Sequence, residues 1–279
     1  MNNSNIRKSI LAAVLAGGLS LGAAASNTLT LDGSTTVGPI AKAFAEHLMR
    51  QDSTINITVS ESGSGNGAKA LLNGTCDIAN LSRNLKSAEK EAMEAKGVKP
   101  VAHVAAYDAL PVIVHPSNKV GDLTIEQIRD IYTGKVTNWK EVGGFDKPIV
   151  VISRDTNSGT YETFAELVVG KGNKVVQTAE YTGSNGAVRQ RVQKTEGAIG
   201  YVGIGFLDDT VKAVKVGGVE ASVETVLDKT YPINRELFMF TNGEPAADSL
   251  AARFLGLITS KEGAAMVEEI GFVPVPSKK

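Results

Sequence analysis

The chain has 279 residues, with 29 Lys and Arg against 30 Asp and Glu for a net charge of −1, and 42% of its residues are hydrophobic. That near-balance lacks the basic stripe of a nucleic-acid binder, and a single cysteine, Cys76, excludes any internal disulfide. The length suits one large domain or two lobes of about 120 residues each, held by apolar cores alone.

In chain order, the first feature is an export signal. Arg7 and Lys8 form a basic n-region, Ile10 to Leu19 is a short apolar stretch, and Ala23-Ala24-Ala25 supplies the small residues of a cleavage site. The apolar run is short for a bilayer span. Residues 1–25 are therefore read as a cleaved signal peptide, with the mature protein in a periplasm and no cysteine at the cleavage point to carry a lipid.

Short β-type runs then alternate with helical patterns, which predicts an α/β fold in which mainly parallel strands are flanked by helices. Thr28 to Leu31 reads as a strand. Pro39 suits the first position of a helix whose apolar face carries Ile40, Phe44 and Leu48. Strands follow at Ile55–Val59 and Cys76–Leu81, with a short helix between them and a charged helix from Ser87 to Lys96. Val101 to Val114 is too long for one ordinary strand and reads as two, with a crossing between lobes near Asp108. Beyond it come a helix from Thr124 to Tyr132, strands at Ile149–Ile152 and Ala198–Val202, and a helix burying Tyr161, Phe164, Ala165 and Val168. Leu237 to Phe240 brings the chain back, and two terminal helices close it. Residues 26–108 with 233–279 form the first expected lobe, and residues 109–232 form the second.

Three hydroxyl-and-glycine clusters stand where predicted strands give way to predicted helices. They are Gly33-Ser34-Thr35-Thr36, Ser62-Gly63-Ser64-Gly65, and Ser153 through Thr160, which contains Arg154, Ser158 and Gly159. N–H groups at a helix start are unpaired and the helix dipole favours negative charge there. Glycine admits an anion close to the backbone, and hydroxyls add donors. Taken singly, each cluster is an ordinary helix cap. Together, with an embedded arginine, they describe a cage for a small tetrahedral oxyanion. Ser82-Arg83 after the third strand is read two ways: a second cation reaching the same cleft, or a solvated helix start.

Other chemistries lack their parts. Gly170-Lys171-Gly172 is no Walker loop, Ser64 and Ser158 do not sit in a nucleophile elbow, and His47, His103 and His115 show no metal-ligand spacing. No cofactor, metal or catalytic residue is expected. Trp139 and Tyr201 are read as packing residues.

These residues resemble the phosphate-binding subunits of bacterial phosphate ABC importers, the PstS type. The resemblance runs from Leu31 to about Phe272. It rests on the three clusters, Asp77-Ile78 with Ser82, Tyr132-Thr133-Gly134 with Asn138-Trp139, and Gly197 through Val202. It implies a type II periplasmic-binding fold with the ligand between two lobes. It also implies a monomer that captures inorganic phosphate and hands it to a membrane permease. Carried over by motif, the phosphate ligands are Ser34, Thr35, Thr36, Ser64, Ser82, Arg83, Arg154, Ser158, Gly159 and Thr160. One departure stands out. Well-known members carry Ser-Asp where this chain has Ser82-Arg83, and that Asp accepts the proton of monohydrogen phosphate; a sub-group carries Ser-Arg. The arginine keeps sulfate, molybdate or tungstate as alternative ligands, and Asp155 stands as a substitute acceptor or as an orienter of Arg154. A secreted serine hydrolase, with Ser64 or Ser158 as nucleophile, and a surface interaction protein that retains the fold without transport are the further alternatives.

Overall fold

The computed structural model describes residues 27–276; the signal peptide read from the sequence lies outside them. The chain opens with β1 (Thr28–Gly33), α1 (Gly38–Gln51), β2 (Asn56–Ser60), α2 (Ser64–Asn73), β3 (Ile78–Leu81), α3 (Ser87–Ala95) and β4 (Pro100–Ala109). After Leu110 and Pro111 it enters a second sheet through β5 (Val112–Val114), β6 (Asp122–Leu123), α4 (Ile125–Tyr132), β7 (Val150–Arg154) and α5 (Gly159–Phe164). There follow β8 (Glu180–Thr182), α6 (Asn185–Gln193), β9 (Ala198–Tyr201), β10 (Lys212–Val216) and α7 (Val223–Leu227). The last elements are β11 (Asn234–Asn242), α8 (Leu250–Gly256), α9 (Lys261–Glu269) and β12 (Val273–Pro274).

Two six-stranded sheets result, in the orders β12-β4-β11-β3-β1-β2 and β6-β10-β5-β9-β7-β8. Each is flanked by helices, so the molecule has two lobes. Strands joined by helices pair in parallel, as β1 with β2 and β3 and β7 with β8 and β9. Antiparallel pairs enter through β4 and β11, which run in opposite directions between the lobes, and again where β5 meets β9 and β10. The strands joined by helices lead to the cleft, so the loops after β1, β3 and β7 arrive there together.

Local sequence explains these elements. Pro39 occupies the first turn of α1, where its missing N–H costs nothing, and Ile40, Phe44 and Leu48 are buried along one face. Thr124 caps α4 in a capping box with Gln127, whose N–H it accepts at 3.2 Å. Gly63 precedes α2 with φ +97°, a conformation that side chains rarely adopt. In the first lobe, Leu31, Ile40, Phe44, Ile78 and Phe254 share one core, with Phe44 and Phe254 edge to face at 5.8 Å.

The second lobe centres on aromatic rings. Phe164 stacks on Tyr201 at 3.8 Å and meets Tyr132 edge-on at 4.6 Å. Trp139 is fully buried and donates its indole N–H to Gly197 O at 2.9 Å, so Trp139 and Tyr201 are core residues as expected. This core supports the cleft directly, because Tyr201 Oη lies 2.9 Å from Ser153 Oγ and accepts the Arg154 N–H at 3.3 Å. Tyr201→Phe keeps the ring stack but strips both groups of their partner. It should cost about 1–3 kcal/mol, the usual penalty for stranding buried polar groups, read as a lower urea midpoint at unchanged slope.

Candidate functional site

The site lies where the two lobes meet, and it is built around Arg154 at the end of β7. Arg154 is 1% exposed. Its Nε donates to Thr182 O at 3.2 Å, and its Nη2 donates to Gly183 O at 3.0 Å and to Thr35 Oγ1 across the cleft at 3.1 Å. Its Nη1 is buried without a partner. Among the described residues no carboxylate forms an ion pair with it, although the charge of Asp155 nearby favours the cation. Burial pushes the guanidinium down to about 10, and the neighbouring charge of Arg235 adds to the fall. A buried cation with an orphaned donor is an unbalanced charge, which an anion would neutralise.

The sequence-predicted residues gather around it. Thr36 Oγ1 and Thr160 Oγ1 touch at 2.9 Å from opposite lobes. Ser64 Oγ and Ser82 Oγ are 3.2 Å apart, and the Ser82 N–H donates to Ser64 Oγ at 3.1 Å. Gly159 packs onto both serines: a Cβ there would collide with Ser64 Oγ and stand 2.7 Å from Ser82 Oγ. Ser34 and Ser158 use their hydroxyls as caps. Ser34 accepts from Thr36 N and Val37 N, and Ser158 accepts from Tyr161 N.

Arg83 needs correction. It is only 9% exposed, so it is not a solvated helix start. It is also not free to meet an anion, because carboxylates hold its guanidinium. Nη1 and Nη2 each donate to a Glu89 oxygen at 2.8 Å, and Nη1 also reaches Asn84 O at 2.8 Å. Nε stands 2.5 Å from Glu162 Oε2 as an ion contact rather than a well-directed hydrogen bond. Glu162 belongs to α5, so Arg83 ties the first lobe to the second. Lys86 joins it at 3.1 Å from the same oxygen.

Two site residues escaped the sequence reading. Asn185, fully buried at the start of α6, donates from Nδ2 to Thr36 Oγ1 at 3.0 Å and to Thr35 Oγ1 at 3.4 Å. Its signal was present in Thr182-Gly183-Ser184-Asn185-Gly186, a fourth hydroxyl-and-glycine cluster between a strand and a helix. Arg235, on β11, contacts Asp108 on β4 through Nε at 2.8 Å and Nη2 at 2.7 Å. It also donates to Ser82 O at 3.1 Å and Thr160 Oγ1 at 3.0 Å. Nothing in the sequence distinguished it from an ordinary charge beside a strand. Asp108 balances its charge, which leaves Arg154 as a cation of this cluster without an ionic partner among the described residues.

The three histidines lie elsewhere in the bonding pattern, His47 with Gln51, His103 with Thr241 and His115 with Ser117. Neither Ser64 nor Ser158 has a histidine partner among the described residues. Cys76 is buried and its thiol is pushed up to about 12 by that burial, so it is a poor nucleophile.

Comparison with known proteins gives a consistent picture. A family model described as a PBP superfamily domain matches residues 20–262. Protein SphX of Synechococcus elongatus is 35% identical over 266 residues, covering 90% of this chain and 78% of that relative. Phosphate-binding protein PstS of Pseudomonas aeruginosa is 34% identical over 274 residues, covering 91% and 84%. Among solved structures, a Clostridium perfringens substrate-binding protein with bound phosphate superposes with a TM-score of 0.82 at 40% identity, covering 89% of this chain and 99% of that one.

Arg154 and Arg83 should therefore behave differently. Arg154→Ala should weaken anion binding by roughly two orders of magnitude, from about 2–5 kcal/mol for losing one partner of a buried charged contact. Lysine should restore only part of it, having lost the planar fork. Arg83→Ala should change affinity by less than about tenfold. It should cost about 2–3 kcal/mol of stability by leaving Glu89 and Glu162 without their cation, at the low end for buried pairs because both are partly exposed. Calorimetric titration and urea unfolding of the two variants separate these outcomes.

Proposed function

This chain belongs to the PstS-type phosphate-binding proteins of the PBP superfamily, and on that footing we propose that it captures inorganic phosphate in the cleft and delivers it to the membrane permease of an ABC importer. The observation that carries the reading is Arg154, a buried cation without an ionic partner, ringed by the hydroxyls of Thr35, Thr36, Thr160 and Ser64. Such a cage gives a tetrahedral oxyanion many modest donors and one full charge in a water-poor cleft, where charge-assisted bonds are strongest.

In this reading the ligand residues are Ser34, Thr35, Thr36, Ser64, Ser82, Arg154, Ser158, Gly159 and Thr160, with Asn185 and Arg235 behind them. The first lobe comprises residues 26–108 and 233–279, and the second comprises residues 109–232. The protein works as a periplasmic monomer without catalysing a reaction. Closure of the lobes couples capture to docking on the permease. Bonds across the cleft, such as Gly65 N–H to Asn157 O at 3.0 Å and Thr163 Oγ1 to Ser82 O at 3.4 Å, support a closed arrangement.

Calorimetry of the purified mature protein with phosphate, sulfate and molybdate tests the proposal. Phosphate should bind one per chain at micromolar affinity or tighter, which is about −8 kcal/mol or better. At a hundredfold excess over its dissociation constant it should add about 2.7 kcal/mol of stability and raise the melting temperature by roughly 5–10 °C for a chain of this size. Sulfate or molybdate binding at least as tightly as phosphate would transfer the reading to that anion.

A further inference from the structure

The hydroxyls of the cleft differ in one respect that their neighbours determine, namely which way each proton points. Backbone N–H, amide NH2 and guanidinium groups can only donate. A hydroxyl oxygen that accepts from one of them is left with its own proton to give to something else.

Nearly every hydroxyl in the cluster is in that position. Thr35 Oγ1 accepts from Arg154 at 3.1 Å and from Asn185 at 3.4 Å. Thr36 Oγ1 accepts from Asn185 at 3.0 Å. The Asn185 amide is oriented by its other end, because Oδ1 takes the Gly203 N–H at 3.2 Å. Thr160 Oγ1 accepts from Arg235 at 3.0 Å, and Ser64 Oγ from the Ser82 N–H at 3.1 Å. Ser34 and Ser158 accept from the backbone N–H groups they cap. Thr36 Oγ1 also takes Arg235 Nη2 at 3.5 Å, which fills its lone pairs and sends its own proton to Thr160 Oγ1 at 2.9 Å; Thr160, whose lone pairs are then filled too, and the other hydroxyls keep a proton for an anion.

Ser82 Oγ is the exception among these residues. Its partner is Ser64 Oγ at 3.2 Å, and among the described residues no donor-only group reaches it. When its proton goes to Ser64 Oγ, the Ser64 proton turns to the anion and the Ser82 lone pairs stay open beside Gly159. The nearby carboxylates are engaged: Glu89 and Glu162 with Arg83, and Asp108 with Arg235 and the Ile204 N–H. Asp155 is half-buried and lies beside Gly183.

A cage of donors holds the bare oxygens of phosphate and of sulfate alike. Monohydrogen phosphate carries one proton that needs an acceptor, and sulfate carries none. Resting on the phosphate reading above, we propose that Ser82 Oγ accepts the proton of monohydrogen phosphate and thereby separates phosphate from sulfate. In this chain a neutral hydroxyl does the work for which a carboxylate is otherwise suited, and Asn185 and Arg235 are positioning residues that deny the role to the threonines.

Fluorophosphate tests this directly. It is a tetrahedral dianion of similar size with fluorine in place of the hydroxyl, so it has no proton to give. Calorimetry at one pH and salt should show the wild-type protein binding phosphate at least about tenfold more tightly than fluorophosphate or sulfate. Ser82→Ala should bring phosphate down to the level of fluorophosphate, while fluorophosphate and sulfate move by less than about threefold. Ser64→Ala, which removes a donor, should weaken all three anions together. Thermal unfolding of each variant reports whether it is folded, and the wild-type comparison needs no variant. Equal wild-type affinity for phosphate and fluorophosphate would overturn the assignment. So would equal weakening of all three anions in Ser82→Ala, or phosphate binding left unchanged there. Failure of the wild-type protein to bind phosphate at all would instead overturn the receptor reading, and this inference with it.

Discussion

The uncompensated charge of Arg154 organises the cleft. Arg154 is buried at the meeting of the lobes, with two carbonyls and a threonine for company and, among the described residues, no carboxylate paired with it. Burying such a cation is costly, and proteins seldom keep one unless a ligand balances it. The rest of the structure serves that imbalance. The aromatic stack of Phe164 and Tyr201 fixes the strand that carries it, and Tyr201 Oη takes the Arg154 N–H. Asn185 and Arg235 aim the hydroxyls around it.

The floor of the cleft is continuous with the crossing between lobes. Asp108 and Arg235 stand opposite each other on β4 and β11, the strands nearest the crossing, and their ion pair is almost completely buried. Arg235 also reaches Ser82 O in one lobe and Thr160 Oγ1 in the other. A rotation about the crossing strands therefore changes the contacts that orient the site. The Arg83–Glu162 contact adds a second tie, carried on the first turn of α5 beside Ser158, Gly159 and Thr160.

Much of this was legible in the amino-acid order, because helix starts announce themselves locally. A strand followed by Ser, Thr and Gly and then an apolar stripe is a short-range pattern, and the clusters at Gly33, Ser62 and Ser153 led to residues that the fold brings together. The Val101–Val114 run was readable as two strands because Asp108 and Pro111 interrupt it. What stayed hidden depends on contacts distant in sequence. Arg83 gave no hint of Glu162, 79 residues away, and so looked like either an anion ligand or a solvated charge. Arg235 is committed to Asp108 across 127 residues. Asn185 lay in a fourth cluster of the same kind, but α6 is strongly polar and its apolar stripe is only Val188 and Val192, too short to mark a helix in sequence. Polarity of a hydroxyl proton is further still from the sequence, since it follows only from which donors arrive in three dimensions.

If Arg154 is destabilising until an anion neutralises it, removing its charge should act in opposite directions with and without phosphate. Melting Arg154→Met against the wild-type protein, first in phosphate-free buffer and then with saturating phosphate, tests it most directly. Methionine fills similar space without charge, and replacing a poorly compensated buried charge by an apolar side chain is often neutral or stabilising. The variant should melt at or above the wild-type temperature without phosphate and below it with phosphate, the order of the two reversing. A variant that melts well below wild type in phosphate-free buffer would show instead that Arg154 is held by the protein's own contacts and needs no anion to balance it.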